Sequence, residues 1–369
     1  MDKLRPTIAL LVALAASTTC LAETLEDAWV IALANDQSLQ SVRSQTAAAA
    51  AELAATKSSR MPVFNIDSAI TQLDDTPAID TGQLGLPVSI AIPNAFSNDN
   101  FVTASARLSM PLYTSGLISS GIDAAGAALN ANQSREDAFQ LDVKLAVAES
   151  FVAVLRAQRA VTVADTNVTS LEAHVRDVES MYRKGLVPQN DLLAVQVSLA
   201  NARQKALQAS NALDVASAAY NRRLGRDLNS PVSLDEVMPT VDQAAMSEDI
   251  EALTAIALSA RAELQALRDQ SAALRYQAKA ERARTKPQFA ASAGYTYLEN
   301  EVLRDETFSY ASIGFTWSPF DGGRARYRAS KFARQAQSVT DQHNDVISLI
   351  RLQVRSTWLE IKEVRQRLA

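Results

Sequence analysis

The sequence has little cysteine, little glycine and no long apolar run in its body. Its one cysteine is Cys20, and cleavage after Ala22 would remove it, which excludes disulfides and thiolate–metal sites from the mature chain. Past residue 22, no stretch approaches the roughly 20 apolar residues of a transmembrane helix. With 11 glycines in 369 residues, the composition favours an extended helical protein over a loop-rich globule.

The sequence also has no excess of positive charge and no known catalytic motif. The net charge is −5, which argues against a nucleic-acid partner because phosphate binding needs clustered lysine and arginine. The only histidines, His174 and His343, are far apart in predicted helices with charged neighbours, as solvated surface residues are. No nucleophile-elbow, phosphate-loop, dinucleotide or zinc-protease motif occurs. The sequence predicts that the protein is not an enzyme and has no catalytic, cofactor-binding or metal-binding residues.

The first 22 residues predict a secretory signal peptide. Lys3 and Arg5 give a positive start, residues 7–16 form an apolar segment too short to span a bilayer, and residues 20–22 form a small-residue cleavage site. Residues 17–19 lack the pattern expected before a lipidated cysteine, so lipidation is not expected. An exported chain without a transmembrane helix is either soluble or crosses a membrane as a β-barrel.

Two copies of one unit organise the rest of the chain. The segment IALANDQSLQSVRSQ at 31–45 returns as IALSARAELQALRDQ at 256–270, so the numbering of the second copy is offset by 225. Pro62 and Pro287 keep the same offset. Chance could produce one match, but landmarks that recur in the same order indicate duplication.

The offset changes once along the chain. Between Tyr113 and Phe320 it has fallen to 207, so the first copy is longer by 18. We place this insertion in the segment 74–100, which is rich in proline, glycine, asparagine and aspartate. The domains are therefore predicted as a signal peptide at 1–22, a first repeat at 23–230 and a second repeat at 245–369.

Each copy is predicted to begin with a helix and to continue with two strands. The helices are expected at about 24–58 and 248–285, each ended by a proline. Alternation of apolar and polar residues follows, which indicates strands with two different faces. Such strands suit a transmembrane barrel, but they suit equally well a soluble antiparallel sheet with one wet face. The predicted strands are 63–73, 100–112, 288–299 and 308–318, and the predicted loops between them are 74–99 and 300–306.

Long helices follow the first pair of strands. No proline interrupts the chain from Gly116 to Met181, which would give roughly 100 Å of helix at about 1.5 Å per residue. The next helix carries a seven-residue apolar repeat, typical of supercoiled helix packing, and Gly225 stands where a left-handed residue would end it. The predicted contact residues are Leu141, Leu145, Ala148, Val152 and Leu155 in the first helix and Leu192, Val195, Leu199, Ala202, Ala206, Ala209, Leu213, Ala216 and Tyr220 in the second.

A short junction leads from strand to helix in each copy. Its proline ends strand pairing, its glycines permit a sharp turn, and Asp321 is placed to cap the following helix. An ordinary turn explains each residue singly, but not why short strands twice lead into helices too long for a compact domain. The junction residues are Pro111 and Gly116 in the first copy and Pro319, Asp321, Gly322 and Gly323 in the second.

With these features the sequence resembles the TolC-type outer-membrane efflux family. The resemblance is carried by the duplicated helix–strand–strand–helix unit, by the junctions PLYTSG and PFDGG, and by residues 182–225. It implies an α+β membrane protein in the outer membrane, in which long coiled-coil α-helices form a periplasmic α-barrel tunnel. Four strands per protomer of a homotrimer would contribute to a 12-stranded transmembrane β-barrel.

The resemblance also implies a function. The protein would be the passive exit duct of a tripartite efflux or type I secretion system, would export drugs, metals or proteins, and would dock onto a periplasmic adaptor and an inner-membrane pump. The turn Tyr182-Arg183-Lys184-Gly185-Leu186-Val187 would form the periplasmic tip that meets the adaptor. Asp191 would lie near the entrance and act on ions there, although a helix N-terminus also favours a carboxylate for its own stability.

Three further expectations complete the interpretation. The second copy runs only from Phe320 to Ala369, whereas the first runs from Tyr113 to Gly225, so the second repeat is expected to be incomplete, with impaired tip closure. The basic run at 324–334 is expected to be a solvated helix start near the anionic inner leaflet of the outer membrane. The alternative function is a periplasmic adaptor or soluble coiled-coil scaffold, which shares helical hairpins and export but lacks the tandem duplication.

Overall fold

The computed structural model describes residues 22–74, 79–80, 91–92, 100–236, 249–299 and 305–368. The predicted signal peptide up to residue 21 lies outside them. Within the described residues the elements are, in chain order, α1 (Leu25–Asn35), α2 (Gln37–Ser58), β1 (Val63–Gln72), β2 (Ile79–Asp80), β3 (Ala91–Ile92), β4 (Asn100–Tyr113), α3 (Leu117–Arg183), α4 (Gln189–Arg223), α5 (Ile250–Ala260), α6 (Ala262–Ala283), β5 (Gln288–Leu298), β6 (Thr307–Thr316) and α7 (Arg324–Leu368).

The element boundaries repeat with the two offsets that the sequence predicts. Both ends of α1 and α2 recur at the larger offset as the ends of α5 and α6. The first residues of β1 and β5 keep this larger offset, whereas the first residues of α3 and α7 are related by the smaller one. The two copies therefore share one order of elements, and the change of offset lies between β1 and α3.

The prediction of one continuous helix at the start of each copy is wrong, because each helix is interrupted. The breaks are at Asp36 and Arg261, whose ψ angles of 117° and 111° are extended. At the first break, the carboxylate of Asp36 accepts a hydrogen bond of 2.8 Å from the backbone N–H of Leu39, which starts α2 as a capping residue does. Apolar periodicity carries no information about such a cap, so it predicts one helix.

Contacts divide the chain into two compact units, which are Met1–Ser41 with Phe139–Met246 and Val42–Ala138 with Ser247–Ala369. In the first unit, α1, α4 and the later part of α3 enclose a core in which Phe151 and Tyr220 meet edge to face at 6.1 Å. Each of the nine predicted contact residues of α4 is buried or half-buried. The seven-residue repeat therefore locates the packed face of α4 correctly.

The predicted contact face of α3 is only partly correct. Ala148 and Leu155 are half-buried and pack against the core, and Val152 is half-buried. Leu141 and Leu145 are exposed, whereas the fully buried stripe of α3 in this region begins two residues further on. Two neighbouring apolar stripes run along this helix, and periodicity alone cannot choose between them. The stripe that packs against α1 and α4 is the one with the β-branched and aromatic side chains. The buried residues of that stripe are Val143, Val147, Phe151 and Val154.

The second unit contains a four-stranded antiparallel sheet in the order β1-β4-β5-β6. The four predicted strands lie within two residues of the observed ones at every end. The register places the apolar residues of all four strands on the same side, since Ile66 faces Ala106, Leu108 faces Ala293 and Ala291 faces Ile313. We call this side the apolar face. It includes Phe64, Ile66, Ile70, Val102, Ala104, Ala106, Leu108, Met110, Ala291, Ala293, Ala311 and Ile313.

Two details of the strand prediction need correction. Pro111 does not end β4, which continues to Tyr113 with a register irregularity between these two residues. The pairing of β4 with β1 ends at Ser109, so the missing N–H of Pro111 costs no ladder bond on that side. The predicted loop 74–99 contains β2 and β3, which pair with each other; its other residues from 75 onward, and residues 300–304, lie outside the described residues.

None of the described helices is both long enough and apolar enough to cross a membrane. In the second unit, α6 packs along α7 through small residues. The hydroxyl of Ser271 on α6 lies 3.1 Å from the carbonyl oxygen of Ala336 and 3.1 Å from the hydroxyl of Thr340. These contacts keep the two helices close without large core side chains.

Candidate functional site

The apolar face of the sheet is open to its surroundings. Ile70 and Ile313 each expose 75% of their surface, although they occupy strand positions where a soluble sheet would bury a large side chain. Single exposed apolar residues are common in proteins, but contiguous apolar patches are rare unless another protein or a lipid phase covers them. The sheet therefore presents a surface built to contact an apolar partner.

The opposite face of the sheet is polar and internally hydrogen-bonded. The hydroxyls of Ser292 and Ser312 lie 2.8 Å apart. Arg107 donates from Nε to the hydroxyl of Tyr310 at 3.1 Å, and the ring of Tyr310 lies over Gly294 on the strand between them. A Cβ atom at position 294 would lie 2.7 Å from this ring, so the arrangement requires glycine.

The strand-to-helix junctions have the same backbone geometry in both copies. Two successive residues adopt positive φ angles, 52° and 89° at Ser115 and Gly116, and 69° and 83° at Gly322 and Gly323. Positive φ angles of this kind need glycine, which has no Cβ, or another residue whose strain a side-chain contact offsets. The sequence indicated the glycines but not Ser115, which among the described residues is the one non-glycine with positive φ.

Each junction also caps the helix that follows it. Asp321 accepts hydrogen bonds from the backbone N–H groups of Gly323 at 2.9 Å and Ala325 at 2.8 Å, which is the capping role that the sequence predicts. In the first copy, the hydroxyl of Thr114 accepts from Ile118 at 3.3 Å, although sequence reasoning did not single out this threonine. Pro319 lies three residues beyond the end of β6.

Both junctions are anchored to the segment between α6 and β5. The hydroxyl of Ser115 donates to the carbonyl oxygen of Pro287. The indole N–H of Trp317, just after β6, donates to the carbonyl oxygen of Thr285 at 3.1 Å. The passage from sheet to helices is therefore fixed by side-chain contacts as well as by backbone conformation.

The predicted tip turn lies in the first unit. Tyr182 and Arg183 are the last residues of α3, and Gly185 has a φ of +72°. The backbone N–H of Gly185 donates to the carbonyl oxygen of Tyr182 at 2.9 Å, and that of Leu186 donates to the carbonyl oxygen of Met181 at 3.0 Å. This pair of hydrogen bonds is that of a Schellman motif. The turn is thus well defined.

Two side chains of this turn region are available for contacts. Leu186 exposes 70% of its surface at the end of the helical pair. Asp191 lies in the first turn of α4, whose N-cap, Pro188, makes no side-chain capping bond. The carboxylate of Asp191 makes no hydrogen bond or ion pair with any residue that the structure describes. Its place near a helix N-terminus suits a negative charge.

A cluster around Glu23, which sequence reasoning missed, ties down the start of the described chain. Arg226 donates from its two terminal nitrogens to the two carboxylate oxygens of Glu23, at 2.9 and 2.8 Å. These bonds raise the pKa of Arg226 above its ordinary value. The backbone of Glu23 pairs with Ser233 and Asp235. Burial raises the pKa of the nearby Tyr220 hydroxyl, and the negative charge of Glu23 adds to this effect.

No group of three or more histidine, cysteine, aspartate and glutamate side chains in the described part of the chain is placed to hold a metal ion. The arrangement comprises instead an apolar sheet face, a polar sheet face, two anchored junctions and an exposed turn between long helices. These features provide surfaces for contact and a rigid support for them.

Comparisons with known proteins agree with this description. The model of the family described as "Outer membrane efflux protein" matches residues 29–226. The fold is similar to that of the outer membrane channel CmeC of Campylobacter jejuni, with a TM-score of 0.77 at 13% identity, covering 93% of this chain and 71% of that one. No curated protein matches the sequence.

Two other solved structures share the fold. One is a membrane protein from Pseudomonas aeruginosa, with a TM-score of 0.74 at 17% identity, covering 93% of this chain and 77% of that one. The other is the outer membrane protein VceC of Vibrio cholerae, with a TM-score of 0.71 at 15% identity, covering 88% of this chain and 75% of that one. The common arrangement extends over most of the described elements.

Proposed function

We propose that this chain, which belongs to the outer membrane efflux protein family, is a passive exit duct of the outer membrane and works as a homotrimer. The observation that carries the proposal is the continuous apolar face on one side of a sheet whose other side is polar, joined at both junctions to long helices. Lipid would cover the apolar face, and the polar face would line an aqueous passage.

The free edges of the sheet support the trimer. The strands β1 and β6 are the outer strands of the four, so each has one row of backbone N–H and C=O groups without a ladder partner in the sheet. Such groups must be satisfied within a bilayer, which a closed barrel achieves. Pairing β1 of one protomer with β6 of the next, three times over, closes a ring of 12 strands by a rotational interface.

The long helices would extend the passage through the periplasm. The 67 residues of α3 correspond to roughly 100 Å at about 1.5 Å per residue. Leu141 and Leu145, whose side chains are exposed on α3, are suited to contact a neighbouring protomer. The helices of three protomers would then form the wall of a tunnel.

The turn at the end of α3 would be the docking point for a periplasmic adaptor and, through it, an inner-membrane pump. Tyr182, Arg183, Gly185 and Leu186 form an exposed, conformationally fixed surface there. Asp191 would place a negative charge at the entrance, where it would favour cations over anions. The protein itself would do no chemistry; drugs, metals or proteins would pass through it.

Single-cysteine labelling tests the orientation of the sheet, since the chain beyond residue 22 contains no cysteine. Ile70→Cys and Thr71→Cys are neighbours in β1 that point to opposite faces. In purified protein reconstituted into liposomes, a charged, water-soluble maleimide should label Thr71→Cys and leave Ile70→Cys unlabelled. Detergent-extracted protein should have the mass of three protomers. A monomer that is soluble without detergent and labels equally at both positions contradicts the proposal.

A further inference from the structure

We propose that the end of α6 and the start of α7 form a binding site for the phosphate headgroup of an anionic phospholipid. A cleft of about 590 Å³ lies there, and its lining includes Arg282, Thr285, Phe320, Asp321 and Arg326. The inference rests on the proposed function, because it requires the sheet to lie in the outer membrane with this cleft at the periplasmic border.

The positive charge at this place is specific to the second copy. Residues 324–334, RARYRASKFAR, contain five cationic side chains and no acidic one. The equivalent start of α3, LISSGIDAAGA at 117–127, contains no cation and one aspartate. Both helices follow junctions of the same backbone geometry, so the fold does not require the charges. A function that only the second copy performs explains them better.

The guanidinium groups in the cleft are available for a ligand. Neither Arg282 nor Arg326 makes a hydrogen bond or ion pair through its side chain with any residue that the structure describes. The one carboxylate in the lining, that of Asp321, is held by the N–H groups of Gly323 and Ala325. Two guanidinium groups beside one cleft suit a phosphate group, whose oxygens accept their paired N–H donors.

The proposed site does not rest on the helix N-terminus. Asp321 already caps it by accepting from the N–H groups of Gly323 and Ala325, and the arginine side chains would supply the charge that holds an anion in the cleft. The site therefore depends on residues that can be replaced without disturbing the cap.

The surroundings of the cleft favour a lipid over a free phosphate ion. Phe320 lines the cleft and exposes 87% of its surface. Trp317 continues the alternation of Ile313 and Phe315 on the apolar face, and its indole N–H donates to Thr285 in the cleft lining. Aromatic residues of this kind concentrate where a bilayer meets water. A free ion would use the arginines only, whereas a phospholipid would also use the aromatic side chains.

Lipid retention by the purified full-length protein tests the proposal. Native mass spectrometry would compare the retention of phosphatidylglycerol with that of phosphatidylcholine carrying the same acyl chains. We expect the wild-type trimer to retain phosphatidylglycerol preferentially and the double variant Arg282→Gln/Arg326→Gln to retain it at least about tenfold less, given the contribution of each cation near an anionic headgroup.

Matched variants separate charge at the cleft from charge in general. Arg351→Gln/Arg355→Gln removes the same charge from exposed positions further along α7 and should leave retention unchanged. Arg282→Lys/Arg326→Lys keeps the charge and should restore part of the retention. Elution as a trimer shows that each variant is folded.

The inference is overturned, with the proposed function left intact, by equal retention of both lipids by a membrane-inserted trimer, by unchanged retention in the glutamine variant, or by displacement by inorganic phosphate as effectively as by short-chain phosphatidylglycerol. The last result would identify a site for a free anion. Displacement by an acidic peptide but not by lipid would identify a protein partner and would also overturn it. A soluble monomer would instead refute the proposed function.

Discussion

Arg268 donates a hydrogen bond from Nε to Nε2 of His343 at 3.1 Å. In the first copy, the residues at the equivalent positions are Arg43 and Glu136, whose side chains form an ion pair at 3.5 Å. A guanidinium group can only donate, so the imidazole must accept through an unprotonated nitrogen. The same contact thus uses a carboxylate in one copy and a histidine nitrogen in the other.

Replacing His343 by glutamate should give the second copy the ion pair that the first copy has. His343→Glu should raise the free energy of unfolding at pH 7 by about 0.2–1 kcal/mol, because the pair would lie at the surface. Thermal unfolding of the detergent-solubilised protein at low and at high salt measures this gain, which salt should reduce. His174→Glu is the control, and equal stability of the wild type and His343→Glu at low salt would contradict the prediction.

Tyr220→Phe should be tolerated at neutral pH. The hydroxyl of Tyr220 is buried beside the Glu23 carboxylate but makes no hydrogen bond of good geometry with a described residue, so its removal breaks at most a weak interaction. We expect the free energy of unfolding at pH 7 to change by less than about 1 kcal/mol. Chemical denaturation monitored by circular dichroism measures this change, and a loss of several kcal/mol would show that the hydroxyl has an important partner.

The same variant should be more resistant to alkali. Burial raises the pKa of Tyr220 in the folded protein, whereas the unfolded chain ionises near the usual value of about 10. The contribution of this neutral tyrosine to stability is thus fully present below pH 10 and is lost as the pH rises above it. Between pH 7 and pH 11, Tyr220→Phe should therefore lose less free energy of unfolding than the wild type, which chemical denaturation at the two pH values would measure.

Gly294→Ala should destabilise the sheet. The added Cβ would lie 2.7 Å from the Tyr310 ring, so the ring must move and its hydrogen bond with Arg107 is lost. We expect a cost of about 1–3 kcal/mol, measured as a lower temperature of trimer dissociation in gels. Gly314→Ala is the matched control, since its Cβ meets no atom within 4 Å among those described. The double variant Gly294→Ala/Tyr310→Ser should recover stability; if it does not, the clash is not the cause.

Arg226→Ala should weaken the attachment of residues near Glu23. The pair is partly buried, with 13% of the Glu23 side chain and 31% of the Arg226 side chain exposed, so we expect a loss of about 1–3 kcal/mol. Limited proteolysis with mass spectrometry measures how readily this segment is released. The control is Arg203→Ala, which breaks the more exposed pair with Glu172 and should cost less than about 1 kcal/mol. Equal effects of both variants would contradict the prediction.

Leu186→Gln should impair export without impairing assembly. The side chain is exposed at the turn, so its loss should weaken docking of the adaptor and leave the folded trimer unaffected. Drug accumulation in cells and crosslinking to the adaptor are the measurements. Leu207→Gln changes a leucine of similar exposure, 64% against 70%, away from the turn. A defect of equal size in both variants would contradict a docking role.

The alternating strands and the duplicated boundaries could be predicted from the sequence. Alternation specifies a strand and its two faces in one pattern, so Leu108 and Ile313 could be assigned to the apolar faces of their strands before the pairing was known, whereas residues 63–73 alternate less cleanly and the position of Ile66 required the register. The seven-residue repeat of α4 was similarly sufficient. Alternation and the helical repeat depend only on residues close in sequence, and the duplicated boundaries appear twice in the chain. Both kinds of feature can therefore be detected in the sequence alone.

Features that depend on one specific contact could not be predicted. The break at Asp36 depends on a cap that competes with helix continuation, and the choice of Val147 over Leu145 depends on which helices pack against α3. The positive φ of Ser115 and the pair between Glu23 and Arg226 likewise require three-dimensional neighbours that are distant in sequence. Periodicity contains no record of them.

The hydrogen bond from Ser115 to Pro287 couples the two repeats. A left-handed serine costs about 1–2 kcal/mol, and this bond to a carbonyl of the other repeat offsets part of that strain. The equivalent residue of the second copy is Gly322, which adopts a positive φ without such a contact. The first copy therefore draws on the second for the conformation of its junction, and separating the two halves would leave the strain of Ser115 without this compensation.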